Sequence, residues 1–126
     1  MTLPTFLVED NAIIRTNLVQ TLVELAGVEL LGHAATEATA IEWLVANAER
    51  WTLLIVDLFL ADGNGLGVLA ACRVRTPWQR VVVLSNYATD GMRQRCIESY
   101  GADAVFDKST EIEALVDYCL ALQSSR

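Results

Sequence analysis

No stretch of this sequence stays apolar long enough to cross a bilayer. Runs such as 53–56 and 81–84 are far shorter than the roughly 20 residues a membrane helix needs. The opening residues Met1-Thr2-Leu3-Pro4-Thr5 lack a basic region followed by a long apolar run, so no export signal is expected and a cytoplasmic address follows. Basic charge is scarce: nine Lys and Arg stand against sixteen Asp and Glu, a net charge of −7. Phosphate backbones are bound by Lys and Arg that displace counterions, and the cluster Arg73, Arg75, Arg80 is interrupted by Pro77 and Trp78. No nucleic-acid partner is expected. Cysteine and histidine are also sparse. Cys72, Cys96 and Cys119 are odd in number and widely spaced, and His33 lies alone in an apolar run. That pattern argues against a zinc site or a redox couple and for reduced, buried thiols and a structural histidine.

What is present describes one folded unit. The 126 residues are 53% apolar and 20% charged, enough for one core and too few for two. Residues 1–126 therefore read as a single domain with no output domain attached. Short apolar runs alternate with helical spacing along the whole chain. Residues 5–9, 28–34, 52–57, 80–85 and 103–107 read as strands. Most are continuously apolar, as parallel strands covered on both faces should be. Between them lie helical segments. In 11–26, Ile14, Leu18, Leu22 and Leu25 form a candidate buried stripe, and Ile112, Leu115, Val116, Cys119 and Leu122 form another near the end. Gly27 and Gly101 stand where helices should stop. Thr76-Pro77 should close the third helix, and Thr110 to Glu113 has capping-box spacing for the fifth. The residues 123–126 are expected to fray. Trp43, Trp51 and Trp78 are expected to pack rather than bind ligand. This repeated βα pattern predicts an α/β fold: a flavodoxin-like (βα)5 three-layer sandwich with a parallel five-stranded sheet of order 2-1-3-4-5.

Ligands of such sheets bind beyond the carboxyl ends of the strands, where strand order reverses. Read only there, the sequence offers Glu9 and Asp10 after strand one, Asp57 after strand three, Ser85 at strand four, and Asp107-Lys108 at strand five. In a 2-1-3 order, three carboxylates share one crevice. Like charges at that range need a proton or cation between them. A hard divalent ion such as Mg²⁺, held by carboxylates, waters and a substrate phosphate, meets the need. Lys108 then supplies a charge for a phosphoryl oxygen and Ser85 a hydroxyl donor. Asp57 is placed to attack phosphorus and form an acyl phosphate.

The runs Val8-Glu9-Asp10-Asn11, Leu54-Ile55-Val56-Asp57-Leu58, Val82-Val83-Leu84-Ser85 and Phe106-Asp107-Lys108-Ser109 resemble those of response-regulator receiver domains. The resemblance covers essentially the whole chain. It implies a phosphoacceptor of two-component signalling, supplied from a phosphohistidine on a sensor histidine kinase or a histidine phosphotransfer domain. It also implies that Asp57 takes the phosphoryl group, that Asp10, Asp57 and the Phe59 backbone carbonyl bind Mg²⁺, and that Glu9 acts through a bound water. Ser85 would follow the phosphoryl group and Lys108 would pair with it. Such a domain is no enzyme in the ordinary sense: it assists its own phosphorylation and dephosphorylation, and signals to an unknown downstream protein by contact or relay. Arg93, Tyr100, Glu111 and Tyr118 are candidate contact residues.

The chain departs from the family pattern at three places. Ala61 stands where proline is usual, Ser109 where a cis-proline is frequent, and Val105 where an aromatic commonly reorients on activation. Phe59 and Tyr87 flank the pocket: by family analogy they would shield the acyl phosphate from water, and the equal alternative is that they anchor their loops by packing. A receiver-like docking module that takes no phosphate is disfavoured by the intact Asp10, Asp57 and Lys108, although Val105 and Ala61 keep it open. A haloacid-dehalogenase-type phosphatase wants an acid two residues after its nucleophile, where this chain has Phe59.

Overall fold

The computed structural model describes residues 2–124. Strands β1 (Leu3–Val8), β2 (Val28–Ala34), β3 (Leu53–Val56), β4 (Arg80–Ser85) and β5 (Ala104–Asp107) alternate with helices α1 (Ala12–Ala26), α2 (Glu37–Ala46), α3 (Gly65–Ala71), α4 (Asp90–Glu98) and α5 (Ile112–Ser124). The strands are all parallel, in the order β2-β1-β3-β4-β5, as the alternating pattern predicts.

Strand geometry sends successive side chains to opposite faces, and the two cores divide accordingly. Leu54 and Val56 join Phe6, Val8, Leu44, Val68, Val81 and Val83 under α2, α3 and α4. Leu53 and Ile55 join Leu3, Leu7, Leu18, Leu22, Leu84 and Leu115 under α1 and α5. This is why β3 must be apolar at every position. Trp51 is buried and Trp43 stacks on Phe6 at 3.9 Å, whereas Trp78 is half exposed. His33 lies exposed on the edge strand β2. The three cysteines are buried free thiols, and burial pushes Cys72 up to about 11 and Cys119 to about 12. No helix among the described residues is long and apolar enough to cross a membrane.

Several local expectations are corrected. The buried row of α1 is Leu18, Leu22 and Ala26, while Ile14 and Leu25 of the expected stripe are exposed. Ala26 lies four residues after Leu22 and so continues the inward row. Gly27 ends α1 at φ 63°, and Gly101, at φ 76°, follows α4. Helix α3 stops at Ala71, well before Thr76-Pro77. Beyond that end, the Arg75 guanidinium donates to the carbonyls of Cys72 and Gly101 and pairs with Asp103 at 2.8 Å. The carbonyl of Cys72 is thus occupied by a side chain rather than by a further helical turn. The start of α5 is organised by Asp107 and Glu111 instead of Thr110 and Glu113. Asp107 Oδ1 accepts from the amides of Ser109 and Thr110, and Glu111 Oε1 accepts from the amide of Asp107. Leu115, Val116 and Cys119 of α5 are buried with Ile112 and Leu122 packed beside them, as the stripe predicts. Gln123 and Ser124 belong to α5 rather than fraying, and the rest of that tail lies outside the described residues. No described peptide bond is cis, so Lys108–Ser109 is trans.

Candidate phosphoacceptor site

Strand register assembles the site. Val8 pairs with Val56, and Asp57 N–H donates to the Val8 carbonyl at 2.9 Å, so the residues that follow β1 and β3 are neighbours. On the other side Ser85 pairs with Asp107, and Lys108 N–H donates to the Ser85 carbonyl at 3.0 Å. That places the Lys108 side chain across the end of the sheet.

Carboxylate oxygens of Glu9, Asp10 and Asp57 all lie within 4.8 Å of one another. Lys108 Nζ donates to Asp57 Oδ2 at 2.8 Å and stands 2.5 Å from Glu9 Oε1. The second oxygen of each buried acid is held by backbone: Asp57 Oδ1 accepts from Phe59 N–H, and Glu9 Oε2 from Asn11 N–H. Glu9 Oε1 lacks an aligned hydrogen-bond donor although it is buried. Burial raises the Glu9 carboxyl above its ordinary value, and Lys108 only partly offsets this. Burial would lower Lys108, but its bonds to Asp57 and Glu9 prevail and hold its ammonium above the usual range. One ammonium among three carboxylates leaves a surplus of negative charge. This is an environment that a hard cation satisfies.

A cavity of about 200 Å³ opens over these groups, lined by Glu9, Asp10, Asn11, Ile14, Asp57, Phe59, Asn86, Tyr87 and Lys108. Phe59 and Tyr87 meet edge to face at 5.0 Å on its rim and are both more than half exposed. Ser85 is fully buried and does not line the cavity; its Oγ accepts from Tyr87 N–H at 3.1 Å. Of the residues expected from the sequence, Glu9, Asp10, Asp57, Phe59 and Lys108 therefore converge, and Ser85 sits just beneath them. Asn11 belongs to the Val8-Glu9-Asp10-Asn11 run and lines the cavity. It also caps α1 through Oδ1, a role that Asn immediately before an apolar-periodic segment does signal.

The four candidate contact residues are engaged within the chain. Arg93 donates to the carbonyls of Ala88 and Val105 and pairs with Glu111, tying α4 to β5 and to the turn before α5. Tyr118 packs edge-on to Phe106, and Tyr100 lies under Arg95. Val105, in the place of the expected aromatic, is buried and holds Arg93 through its backbone. The Arg93 guanidinium, with the Asp107 amide, keeps the Glu111 carboxyl below its ordinary 4.5. A carboxyl lowered by folding stabilises above its unfolded value and loses that contribution as pH falls through the folded one. Glu111→Gln is therefore expected to be less stable than the wild type at neutral pH, with the gap narrowing below pH 4.5. Urea midpoints of both proteins across that range test this, and a gap that stays constant would count against it.

The acidic crevice and its lysine lie where a doubly wound parallel sheet reverses strand order, the place where such folds bind their ligands. The family model of the response regulator receiver domain matches residues 5–119, and this chain belongs to that family. Its fold superposes on the signal receiver domain of the NarL response regulator from Mycobacterium tuberculosis with a TM-score of 0.82, at 21% identity over 99% of this chain and 98% of that one. A LuxR-family two-component response regulator from Aurantimonas sp. SI85-9A1 gives a TM-score of 0.84 at 19% identity, over 100% of this chain and 88% of that one. In sequence the chain is 31% identical over 85 residues to the DNA-binding transcriptional activator DevR/DosR of M. tuberculosis, covering 68% of this chain and 38% of that protein. The chain spans well under half the length of the curated relatives it matches.

Proposed function

We propose that this receiver domain takes a phosphoryl group onto Asp57 from a phosphohistidine of a sensor histidine kinase or a histidine phosphotransfer domain, in a Mg²⁺-dependent reaction. The observation that carries the reading is the cluster of three carboxylates at the ends of β1 and β3, two of them, Glu9 and Asp57, paired with Lys108. An Asp57 carboxylate oxygen attacks phosphorus, the phosphorus–nitrogen bond breaks, and its electrons leave with the imidazole. The Phe59 amide holds Asp57 Oδ1, which orients the carboxylate for that attack. As the acyl phosphate forms, Lys108 Nζ transfers its contact from Asp57 to a phosphoryl oxygen. Ser85 Oγ follows once it releases the Tyr87 amide and turns toward the cavity. Asp10, Asp57 and the Phe59 carbonyl are the groups that would hold Mg²⁺, with Glu9 acting through water. The ion would neutralise charge on the transferring phosphoryl oxygens. A cytoplasmic address and signalling to a downstream protein, by contact or by onward relay, belong to the same reading.

Intact-protein mass spectrometry after incubation with acetyl phosphate, with and without Mg²⁺, tests it. A single phosphoryl adduct is expected that needs Mg²⁺ and is absent from Asp57→Asn. No adduct on folded wild type with Mg²⁺ present would instead favour a docking module that keeps the pocket without its chemistry.

A further inference from the structure

The loop that carries the phosphoacceptor, residues 58–64, contains no proline and has glycine at position 63. Little in its own sequence restricts its path. It is held from outside, by the first turn of α2. Glu37 N–H donates to the Asp62 carbonyl at 3.1 Å, and Thr36 forms a parallel bridge with Asp62. The Glu37 side chain then crosses to the loop, and its Oε1 accepts from Asn64 N–H at 2.8 Å. Glycines make room for this carboxylate. A Cβ on Gly63 would fall 2.4 Å from Glu37 Cβ, and one on Gly67 would fall 2.2 Å from Glu37 Oε2.

The grip leads back to the reacting group in two short steps. Asn64 pairs with Phe59 across the loop, and Gly65 N–H donates to the Leu58 carbonyl at 2.9 Å. Phe59 N–H in turn donates to Asp57 Oδ1 at 3.1 Å. Asn64 also caps α3 through its side chain to Leu66 N–H. Holding Asn64 therefore holds Phe59, whose amide orients the Asp57 carboxylate and whose carbonyl is a proposed Mg²⁺ ligand.

We propose that Glu37 is a positioning residue for phosphoryl transfer: its carboxylate, by accepting from Asn64 N–H, sets the Phe59 backbone that orients Asp57 and faces the cation. This rests on the phosphoacceptor reading above. Glu37 touches neither phosphorus nor metal and acts through the loop alone. Its contribution is accordingly that of an outer-shell partner, whose loss lowers metal affinity or activity by about tenfold or more.

The test uses the full chain with Glu37→Ala and Glu37→Gln. Mg²⁺ affinity is read from the Phe59 and Asn64 amide resonances, and the initial rate of labelling by acetyl phosphate from mass spectra. Both are measured at a temperature where every variant is folded. Glu37→Ala is expected to weaken Mg²⁺ binding and slow labelling by about tenfold. Glu37→Gln is expected to stay within about twofold of wild type, because its amide oxygen still accepts from Asn64 and only the charge is gone. If Glu37→Ala does not fold, Glu37→Asp replaces it, one methylene too short for the same reach. A variant that melts earlier yet binds Mg²⁺ and labels like wild type would overturn the proposal, leaving Glu37 a purely structural clasp. Equal losses in Ala and Gln would also overturn it, since charge and not the hydrogen bond would then be responsible. Wild type that labels while Glu37→Ala labels equally well refutes only the positioning role. Wild type that neither binds Mg²⁺ nor labels refutes the phosphoacceptor reading, and this role with it.

Discussion

Lys108→Met is expected to lower the unfolding free energy by about 3 kcal/mol in metal-free buffer, because breaking a buried ion pair leaves uncompensated charge behind. Lys108 is the cation between Glu9 and Asp57, and the side chains of all three are less than a tenth exposed. Methionine keeps much of the stem and its packing, so the loss isolates the charge. Mg²⁺ is expected to restore stability, and to do so more in the variant than in the wild type. In the wild type the ammonium already neutralises part of the charge the ion would meet; in the variant nothing does, so the ion binds the folded state more tightly. The ammonium is held above its ordinary 10.5 in the fold. Its contribution is therefore complete below that value and lost only as pH rises through the folded one, so neutral pH captures it whole. Urea unfolding of both proteins in EDTA and in Mg²⁺ measures the effect. Equal stabilities in EDTA would show that Lys108 does not hold the acids together. Phosphoryl labelling of the variant should fall steeply as well, since no cation is left to meet the incoming phosphoryl oxygen from the protein side.

The second large effect is expected at Gly65, the first residue of α3. Helix propensity alone favours alanine over glycine by about 1 kcal/mol. The tertiary structure reverses that preference. A Cβ there would lie 2.2 Å from the Asp57 carbonyl oxygen and 2.7 Å from Leu58 Cα. Both are backbone atoms that cannot swing aside, so the start of α3 and the end of β3 must separate. Gly65→Ala is expected to destabilise by about 2 kcal/mol, in the range of an overpacked core, and to reduce labelling because the displaced backbone belongs to Asp57, the proposed phosphoacceptor. Gly91, in α4, has nothing within 4 Å of its would-be Cβ. Gly91→Ala should therefore show the opposite sign, a gain of roughly 0.5–1 kcal/mol. Unfolding curves for both variants, with labelling rates, decide the matter. A stabilised Gly65→Ala that labels normally would mean that the contact is relieved without moving Asp57.

These two glycines mark the boundary between what the chain declares and what packing decides. The strands are legible in sequence because a parallel strand covered on both faces must be apolar at every position, and runs such as Leu53–Val56 and Arg80–Ser85 are nearly so. Glu9, Asp10, Asp57, Ser85 and Lys108 are legible for a related reason. Polar residues directly after apolar runs fall at strand ends, and an alternating βα chain brings those ends to one edge. Those signals are local, written within a few residues.

What the sequence leaves open depends on partners far along the chain. Glu37 meets Asn64 across 27 residues and Arg93 meets Glu111 across 18, and no local periodicity distinguishes these side chains from other exposed charges. Leu25 and Ala26 are adjacent apolar residues of which the fold buries only Ala26. Helix α3 ends where Arg75 takes the Cys72 carbonyl, not where Pro77 would have stopped it. Local composition determined the fold class and the chemistry at the strand ends. Long-range packing decided which glycine must stay bare, how the loop after Asp57 is held, and why Ser85 is buried with its hydroxyl accepting from a backbone amide. The physical reason is range: burial pattern is a property of a segment, whereas a hydrogen-bond partner or a steric limit belongs to whatever the fold brings alongside it.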